Sequence, residues 1–339
     1  MADTFKNQRI LLMRLGGFGD VLMTLPAVNL VRATFPAARI TYLVYKEFSA
    51  LLEGFRSVDE VLTLDRARYR HRNPVAIVAE ILSLLRQLVR KRFDLVVDFQ
   101  GFGETGLLAR LSGAPERWGS VFRASRAWAY TRPVTRNAQL HPVEYHLDLL
   151  RQAGGLAASG LHNEFLVPER TMDEARQFFL ERNLHPGRPT LFIQPFTGSA
   201  HKNWPLENYL AVAQNWSNRG LQVIFGGGPG ERAALEPVRQ AGFFVAAGAP
   251  VLLSAGLVNL ATVVLGGDTG LLHLAVAMDK RVIMILGSLE SGACYPFGHR
   301  EWAITPPKGS SFRAIAPEVV IGACEGALTE IGRTAISGR

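Results

Sequence analysis

Short apolar runs alternate with helical patterns along the whole chain. RILLMRL, ARITYLVYKE, VDEVLTL and FDLVVDFQG predict strands, and apolar residues between these runs recur at helical spacing. The second half repeats the pattern, with strands predicted at TLFIQPF, LQVIFGGG, ATVVLGG and RVIMILG. Strands that alternate with helices predict an α/β fold with doubly wound parallel sheets.

The chain has 339 residues, which is long for one hydrophobic core because domains commonly hold roughly 100–200 residues. An irregular Arg-, Trp- and Pro-rich stretch and the run GGLAASG separate the two sets of strands. We predict an N-terminal Rossmann-like domain over residues 1–165, a C-terminal Rossmann-like domain over residues 166–325, and a tail over residues 326–339. Since ligands bind at the carboxyl ends of parallel strands, we expect the site in a cleft between the domains.

The formal net charge of +8 comes mostly from arginines in the first half. Such an excess favours an anionic partner, and a nucleic acid, an anionic membrane surface and a phosphorylated small molecule all qualify. A basic face that only keeps the protein soluble is the alternative. No DNA- or RNA-binding motif accompanies the charge, so we predict no nucleic-acid partner. The residues concerned are Arg66, Arg68, Arg70, Arg72, Arg86, Arg90, Lys91, Arg92, Arg117, Arg123, Arg126, Arg132 and Arg136.

The two cysteines, Cys294 and Cys324, have neither CxxC nor metal-ligand spacing, so the sequence predicts no disulfide framework and no zinc site. The first residues lack the pattern of a signal peptide. No apolar segment approaches ~18 residues without a charge, glycine or proline. We therefore predict a cytoplasmic protein that is at most peripheral to the inner membrane.

A glycine-rich turn, GGFGD, follows the first predicted strand, and Asp20 stands at the start of the next helix. A carboxylate there is either a helix N-cap, for which Asp is well suited, or a base. The turn is not a GxGxxG motif, because Leu22 occupies the third glycine position. Glu47 is misplaced for a ribose contact at the end of the second strand, so a dinucleotide-binding dehydrogenase is disfavoured.

The segment ATVVLGGDTGLLHLAVAM, residues 261–278, predicts a strand, a tight turn and a helix. Asp268 stands at the expected N-cap, and Thr269 and Gly270 follow, so the amides of the first helical turn are available to a phosphate. The alternative is a capped helix without a ligand. His273 is predicted to face away from Asp268, and a lone histidine on an apolar helix is usually structural.

Two further loops carry groups suited to a nucleotide. Thr197, Gly198, Ser199 and Lys202 share the loop TGSAHKNWP, where hydroxyls, amides and an ammonium match a diphosphate. A solvated surface lysine is the alternative for Lys202.

The second loop, FGGGPGER, contains Gly227, which permits close approach of a ligand, and Glu231. The Glu231 carboxylate either accepts hydrogen bonds from a ribose or an adenine, or caps the helix that follows.

Three segments in this order resemble one family: ILLMRLGGFGDVLMTLPA, TGSAHKNWPLENY and GGDTGLLHLAVAM. Together they are similar to the bacterial ADP-heptose:lipopolysaccharide heptosyltransferases, glycosyltransferase family nine, over nearly the whole chain. The resemblance implies the GT-B fold, in which two Rossmann-like domains face each other across a cleft. It also implies that the C-terminal domain holds ADP-heptose and the N-terminal domain holds the acceptor.

The resemblance implies a role for each matching position. Asp20 matches the general base, which favours the base over the cap, and Lys202 matches a catalytic residue at the diphosphate. The donor positions are Thr197, Gly198, Ser199, Lys202, Gly227, Glu231, Asp268, Thr269, Gly270 and His273. The acceptor positions are Gly17, Arg66, Arg68 and Arg70.

These roles imply an inverting transfer that uses no metal and no cofactor beyond the nucleotide sugar. Asp20 takes the proton of the acceptor hydroxyl, and Lys202 with the loop donors stabilises the leaving diphosphate. Asp268 would repel phosphate, so we expect it to cap or orient. The implied acceptor is the anionic inner core of lipopolysaccharide. The alternatives are a GT-B-like sugar-nucleotide epimerase or hydrolase, and a non-catalytic nucleotide-sugar-binding protein.

Overall fold

The computed structural model describes residues 9–66, 74–157 and 163–337, and the chain divides into two compact units, residues 1–165 and 166–339. Each unit contains a six-stranded sheet in which all paired strands are parallel. The predicted α/β class with two parallel sheets is confirmed.

The strands of the first unit are β1 (Arg9–Met13), β2 (Arg39–Tyr45), β3 (Glu60–Leu64), β4 (Leu95–Asp98), β5 (Glu116–Val121) and β6 (Arg132–Thr135). Its helices are α1 (Phe18–Leu22), α2 (Leu25–Thr34), α3 (Pro74–Lys91), α4 (Gly103–Leu111) and α5 (Pro142–Gly154). Leu11 of β1 pairs with Thr41 of β2 and Val96 of β4, and all three are buried. Such central strands are apolar along their length because both faces are covered.

The strands of the second unit are β7 (Thr190–Gln194), β8 (Gln222–Gly227), β9 (Phe244–Ala247), β10 (Val263–Gly267), β11 (Arg281–Ile285) and β12 (Ala303–Ile304). Its helices are α6 (Glu169–Leu180), α7 (Leu206–Asn218), α8 (Glu236–Gln240), α9 (Val251–Leu260), α10 (Gly270–Ala277) and α11 (Pro317–Ser337). Trp204, Tyr209 and Trp216 are the largest side chains of its buried core.

Both sheets have the same topology. The order is β3-β2-β1-β4-β5-β6 in the first unit and, read from the corresponding edge, β9-β8-β7-β10-β11-β12 in the second. In each sheet the first three strands lie in sequence order toward one edge. The fourth strand then pairs with the other side of the first, and the last three strands lie in sequence order toward the opposite edge. The point of return, between β1 and β4 and between β7 and β10, is where ligands bind in open α/β sheets.

Residues 326–337, which the sequence predicted to be a tail, instead continue helix α11. Val320, Cys324 and Ala327 of this helix are buried in the core of the second unit. The helical pattern is weak in the sequence because several of the residues involved are small and glycines lie among them.

A buried carboxylate fixes the end of β4 beside the point of return in the first unit. Asp98 accepts hydrogen bonds from the backbone N–H groups of Gln100 (2.8 Å) and Gly101 (3.0 Å) and from the Tyr130 hydroxyl (2.6 Å). Burial raises the pKa of Asp98, and these hydrogen bonds oppose the rise. The arrangement requires a glycine at Gly119 of β5, because a Cβ there would overlap the Tyr130 ring.

Replacing Gly119 with alanine is expected to destabilise the first unit by about 1–3 kcal/mol, because the added methyl group overpacks against Tyr130. Gly103→Ala in α4 is the matched control, since no atom lies within 4 Å of its added Cβ and alanine favours a helix. Urea unfolding of the full chain measures both variants. Equal stabilities would contradict the role of Gly119.

Candidate active site

The loops that follow β7 and β10 lie side by side because these two strands are neighbours in the second sheet. Two glycines permit the close approach. A Cβ at Gly267 would lie 2.5 Å from Thr197 Cγ2, and one at Gly266 would overlap the Gln194 carbonyl oxygen. The GG pair before Asp268 therefore serves the packing of two loops at the topological switch point.

One carboxylate joins the two loops. Asp268 Oδ2 lies 3.2 Å from Lys202 Nζ, and Asp268 Oδ1 lies 3.1 Å from His273 Nε2. The prediction that His273 faces away from Asp268 is therefore wrong. Asp268 precedes the helix, and the extended backbone of Thr269 allows the carboxylate to turn back over the first helical turn. Lys202 is paired rather than simply solvated.

The N-cap of α10 is Thr269, whose hydroxyl accepts a hydrogen bond from the Leu272 N–H at 3.4 Å. The prediction of Asp268 as N-cap is wrong by one residue. The cap leaves the Asp268 carboxylate to hold Lys202 and His273, so its observed role is orientation. Gly270 opens the helix at N1, directly after the cap.

The environment of Asp268 favours its ionised form. Burial on its own would raise the pKa of Asp268, but the His273 hydrogen bond and the charges of His273 and Lys202 together lower it below the ordinary value of 3.8. The Asp268 carboxylate, ionised at neutral pH, keeps the ammonium of Lys202 at this end of the sheet.

The loop that carries Lys202 is organised by its own polar groups. The Thr197 hydroxyl lies 2.9 Å from both the Ser199 carbonyl oxygen and Asn203 Oδ1, and the Thr197 N–H donates to the same Asn203 oxygen. The Thr197 hydroxyl therefore stabilises the loop, whereas a Cβ at Gly198 would meet no atom within 4 Å. Contacts of Thr197, Gly198 and Ser199 with a diphosphate stay predictions.

The sequence missed two residues that hold this loop in place. Asn203 accepts the hydrogen bonds just described, and the buried Trp204 donates its Nε1–H to the Ile315 carbonyl oxygen at 3.0 Å. The ring of Trp204 also meets Tyr209 edge-on. The NWP run after Lys202 is the signal in the sequence, because a large apolar residue in a polar loop indicates an anchor.

The glycine loop after β8 lies next along the sheet. Glu231 Oε2 accepts a hydrogen bond from the Gly228 N–H at 2.7 Å, within the turn Pro229–Glu231. Glu231 therefore caps the turn to which it belongs, whereas the alternative predicted from the sequence was a cap on the helix that follows, which has Leu235 as its N-cap. A Cβ at Gly227 would lie 2.6 Å from Leu235 Cδ1, so this glycine serves packing. Contact of either residue with a nucleotide stays a prediction.

In the first unit, Asp20 lies at the equivalent point of return. The N-cap of α1 is Gly17, with φ 84° and without a side-chain cap, and Asp20 is the third residue of the helix. The N-cap alternative for Asp20 is therefore wrong. A side chain at Gly17 would collide with the Asp20 carboxylate, so this glycine leaves room for it.

Arg14, which the sequence analysis missed, holds the Asp20 carboxylate. Its Nη2 lies 2.6 Å from Asp20 Oδ2, and the guanidinium is buried. Within the described part of the chain, Arg14 Nε and Nη1 are buried without a hydrogen-bond partner. Burial and the nearby charges of Arg14 and Arg136 lower the pKa of His146 far below its ordinary value, so the imidazole beside this pair is neutral.

Of the predicted acceptor residues, Arg66 lies with its guanidinium carbon 5.5 Å from the centroid of the Tyr45 ring and lines a cavity of about 550 Å³. Arg68 and Arg70 lie outside the described residues. None of the helices in the described part of the chain has the length and hydropathy needed to cross a bilayer. The same residues contain no cluster of His, Cys, Asp and Glu arranged to hold a metal ion.

Comparison with known proteins places these features in a family. Residues 81–312 match the model of "Glycosyltransferase family 9 (heptosyltransferase)". Lipopolysaccharide heptosyltransferase 1 of Salmonella typhimurium is 24% identical over 312 residues, which cover 88% of this chain and 95% of that protein.

Two solved structures have the same fold. The family 9 glycosyltransferase of Veillonella parvula has a TM-score of 0.84 at 21% identity and covers 96% of this chain and 99% of its own. The E. coli heptosyltransferase WaaC with ADP has a TM-score of 0.77 at 23% identity and covers 94% of this chain and 100% of its own. The GT-B class predicted from the sequence is therefore confirmed.

Asp268→Asn is expected to lower the free energy of unfolding of the second unit at pH 7, because the neutral amide no longer pairs with the charge of Lys202. Because the folded pKa of Asp268 lies below 3.8, the ionised group stabilises the fold above about pH 4. This contribution is lost as the pH falls through the folded pKa, so the two proteins converge. Urea unfolding between pH 7 and pH 3.5 measures the difference.

Asp173→Asn on α6 is the control, because it removes an exposed carboxylate paired with an exposed arginine. Its stability should differ little from that of the wild type at any pH. A gap between wild type and Asp268→Asn that widens on acidification would contradict the assigned environment.

Proposed function

Since the chain belongs to glycosyltransferase family 9, the heptosyltransferases, we propose that it transfers a heptose from ADP-heptose to a hydroxyl of the lipopolysaccharide inner core with inversion at the anomeric carbon. The observation that carries this proposal is the Lys202–Asp268–His273 cluster at the switch point of a sheet whose fold matches a heptosyltransferase with bound ADP. The first unit supplies the base, and the second unit holds the donor.

Lys202 is the proposed electrostatic partner of the diphosphate. Its ammonium is half-exposed and forms an ion pair with the less exposed Asp268, so the ammonium is oriented before a ligand binds. As the bond from the anomeric carbon to ADP breaks, the electron pair stays on the diphosphate, and a preorganised cation stabilises that charge. The amides at Gly198 and at the start of α10 supply further donors. The proposal requires no metal.

Asp20 is the proposed general base. It takes the proton of the acceptor hydroxyl while that oxygen attacks the anomeric carbon on the face opposite the leaving ADP. Arg14 forms an ion pair with one oxygen of Asp20, which fixes the orientation of the Asp20 carboxylate. A base positioned in this way is worth roughly 10²–10⁴-fold in rate.

The proposed acceptor is anionic, in keeping with the arginine-rich first half of the chain. Lipopolysaccharide heptosyltransferase 1 is among the relatives, and the inner core carries acidic groups that Arg66 and its neighbours would attract. We place the enzyme in the cytoplasm, in peripheral contact with the inner membrane where such an acceptor is presented.

Asp20→Asn is expected to lower turnover by roughly 10²–10⁴-fold while the affinity for ADP is unchanged, because the amide cannot take the proton. ADP release from ADP-heptose with a core acceptor measures turnover, and calorimetry measures binding. Asp148→Asn on α5, which removes another carboxylate of the same unit that is paired with an arginine, is the control. Near-normal turnover in Asp20→Asn would exclude it as the base, and change of the donor sugar without an acceptor would indicate an epimerase.

Lys202→Met is expected to weaken ADP binding by about tenfold or more, because a charge-assisted hydrogen bond contributes about 1.5–3 kcal/mol. Lys308→Met removes an exposed lysine of the same unit and serves as the matched control. Calorimetric titration with ADP compares the two. Equal affinities in both variants would show that Lys202 does not meet the diphosphate.

A further inference from the structure

Large apolar side chains are exposed mainly on the first unit. Nine of the twelve exposed large hydrophobic residues of the described chain belong to it, against three in the second unit. Single exposed apolar residues are normal, whereas a contiguous cluster of them marks an interaction surface. The nine are Val61, Val78, Leu82, Val89, Phe102, Leu107, Leu111, Phe122 and Trp128.

Helix α4 is apolar on its outer face as well as its inner face. Leu108 and Ala109 are buried against the sheet, as expected for a surface helix, but Leu107 and Leu111, one turn apart, are exposed. Polar residues normally occupy this outer stripe. Helix α3 lies beside this stripe but leaves both leucines exposed.

Aromatic rings extend the apolar surface beside α4. Phe102 precedes the helix, and its ring centroid lies 5.7 Å from that of Phe122, which follows β5. Trp128, in the 3₁₀ turn Ala124–Ala129, is 58% exposed. This turn packs on α4, since a Cβ at Gly106 would lie 3.2 Å from Ala129 Cβ. We define the α4 face by five residues: Phe102, Leu107, Leu111, Phe122 and Trp128.

The α4 face continues into the cavity of about 550 Å³. Leu107 and Leu111 line this cavity together with Ile81, Leu84 and Leu85 of α3. Among the described residues, Arg66 and Glu104 are the charged groups in its lining. The apolar surface therefore contains a depression and is not flat.

Arginines outnumber acidic residues in the segment that carries the α4 face. Residues 101–130 contain Arg110, Arg117, Arg123 and Arg126 but only two acidic residues, Glu104 and Glu116. Arg110 and Arg123 are exposed, and the Arg126 guanidinium lies 5.7 Å from the centroid of the Phe102 ring. Exposed tryptophan, phenylalanine and leucine with arginines nearby in the sequence are typical of surfaces that lie in the interface of an anionic bilayer.

We propose that the α4 face docks the first unit on the surface of an anionic phospholipid bilayer. This inference names the surface for the peripheral membrane contact included in the proposed function, and only its biological purpose rests on that function. Its geometry stands on the exposed residues alone. A two-fold contact between copies would set like-charged arginines against one another, with Glu104 as the exposed acidic residue of α4, and is therefore disfavoured.

Vesicle co-sedimentation of the full chain, without donor or acceptor, tests the inference. Wild-type protein is expected to bind vesicles of phosphatidylcholine with phosphatidylglycerol and not vesicles of phosphatidylcholine alone, with weaker binding at high salt. Leu107→Gln/Trp128→Gln is expected to lower the partition coefficient by about tenfold or more, because it removes apolar area that enters the interface. Leu180→Gln/Val319→Gln, which changes two equally exposed residues of the second unit, is the matched control.

A second double variant tests the contribution of charge to vesicle binding separately from that of the apolar side chains. Arg110→Gln/Arg123→Gln is expected to reduce binding to phosphatidylglycerol vesicles and its dependence on salt, while thermal unfolding checks that every variant is folded. Binding that persists in both double variants, or no binding by the wild type, overturns the proposal. Sedimentation velocity tests whether the wild-type protein associates with itself. If it does, and if Leu107→Gln/Trp128→Gln abolishes that association, the α4 face binds a second copy of the chain and the membrane proposal is overturned. The affinity for ADP should be unchanged in these variants, because the donor is proposed to bind the second unit, so loss of vesicle binding and loss of donor binding are distinguishable.

Discussion

The adjacency of strands that are distant in the sequence is the constraint on which the candidate site residues of each unit depend. In the first sheet β1 lies against β4, and the Leu15 N–H donates to Gln100 Oε1 at 2.9 Å across 85 residues of chain. In the second sheet β7 lies against β10, and Lys202 meets Asp268 across 66 residues. Without the pairing of β7 with β10, the loops of Lys202 and Asp268 would be separate and their ion pair would not form. The placement of Lys202 beside Asp268 therefore depends on topology as much as on the motifs.

Each unit has an ion pair between a carboxylate and a cation at the equivalent point of its sheet. The exposed member of the pair is the carboxylate in the first unit and the cation in the second. In the first unit the Arg14 side chain is 8% exposed and that of Asp20 is 50% exposed, so the unit presents a carboxylate. In the second unit the Asp268 side chain is 22% exposed and that of Lys202 is 47% exposed, so the unit presents an ammonium. The exposed member determines the chemistry, because the buried member serves to hold it. A base for a hydroxyl suits the first unit, and a cation for a diphosphate suits the second.

The fold was largely predictable from the sequence, whereas the contacts within the site were only partly so. Apolar runs followed by glycine turns identified the strands and the loops, because these signals are local. The N-cap of α10 was misplaced by one residue, since Asp268 and Thr269 are both good caps and only the tertiary contacts of Asp268 decide between them. Arg14 and Asn203 were missed because their importance arises from burial and from partners across a loop. Helix α11 was obscured because its buried residues are small.

The pairing of Arg14 with Asp20 also affects how the base can be studied. Arg14 Nε and Nη1 are buried without partners among the described residues, so Asp20 is the acceptor that offsets the burial of this guanidinium. Leaving such a donor without its acceptor costs about 1–3 kcal/mol, and more for a charged group. Asp20→Ala would therefore combine the loss of a base with the loss of every acceptor for Arg14, whereas asparagine retains an oxygen that accepts a hydrogen bond from Arg14 and loses the negative charge and the capacity to take a proton. Stability thus distinguishes the structural role of this carboxylate from its chemical role.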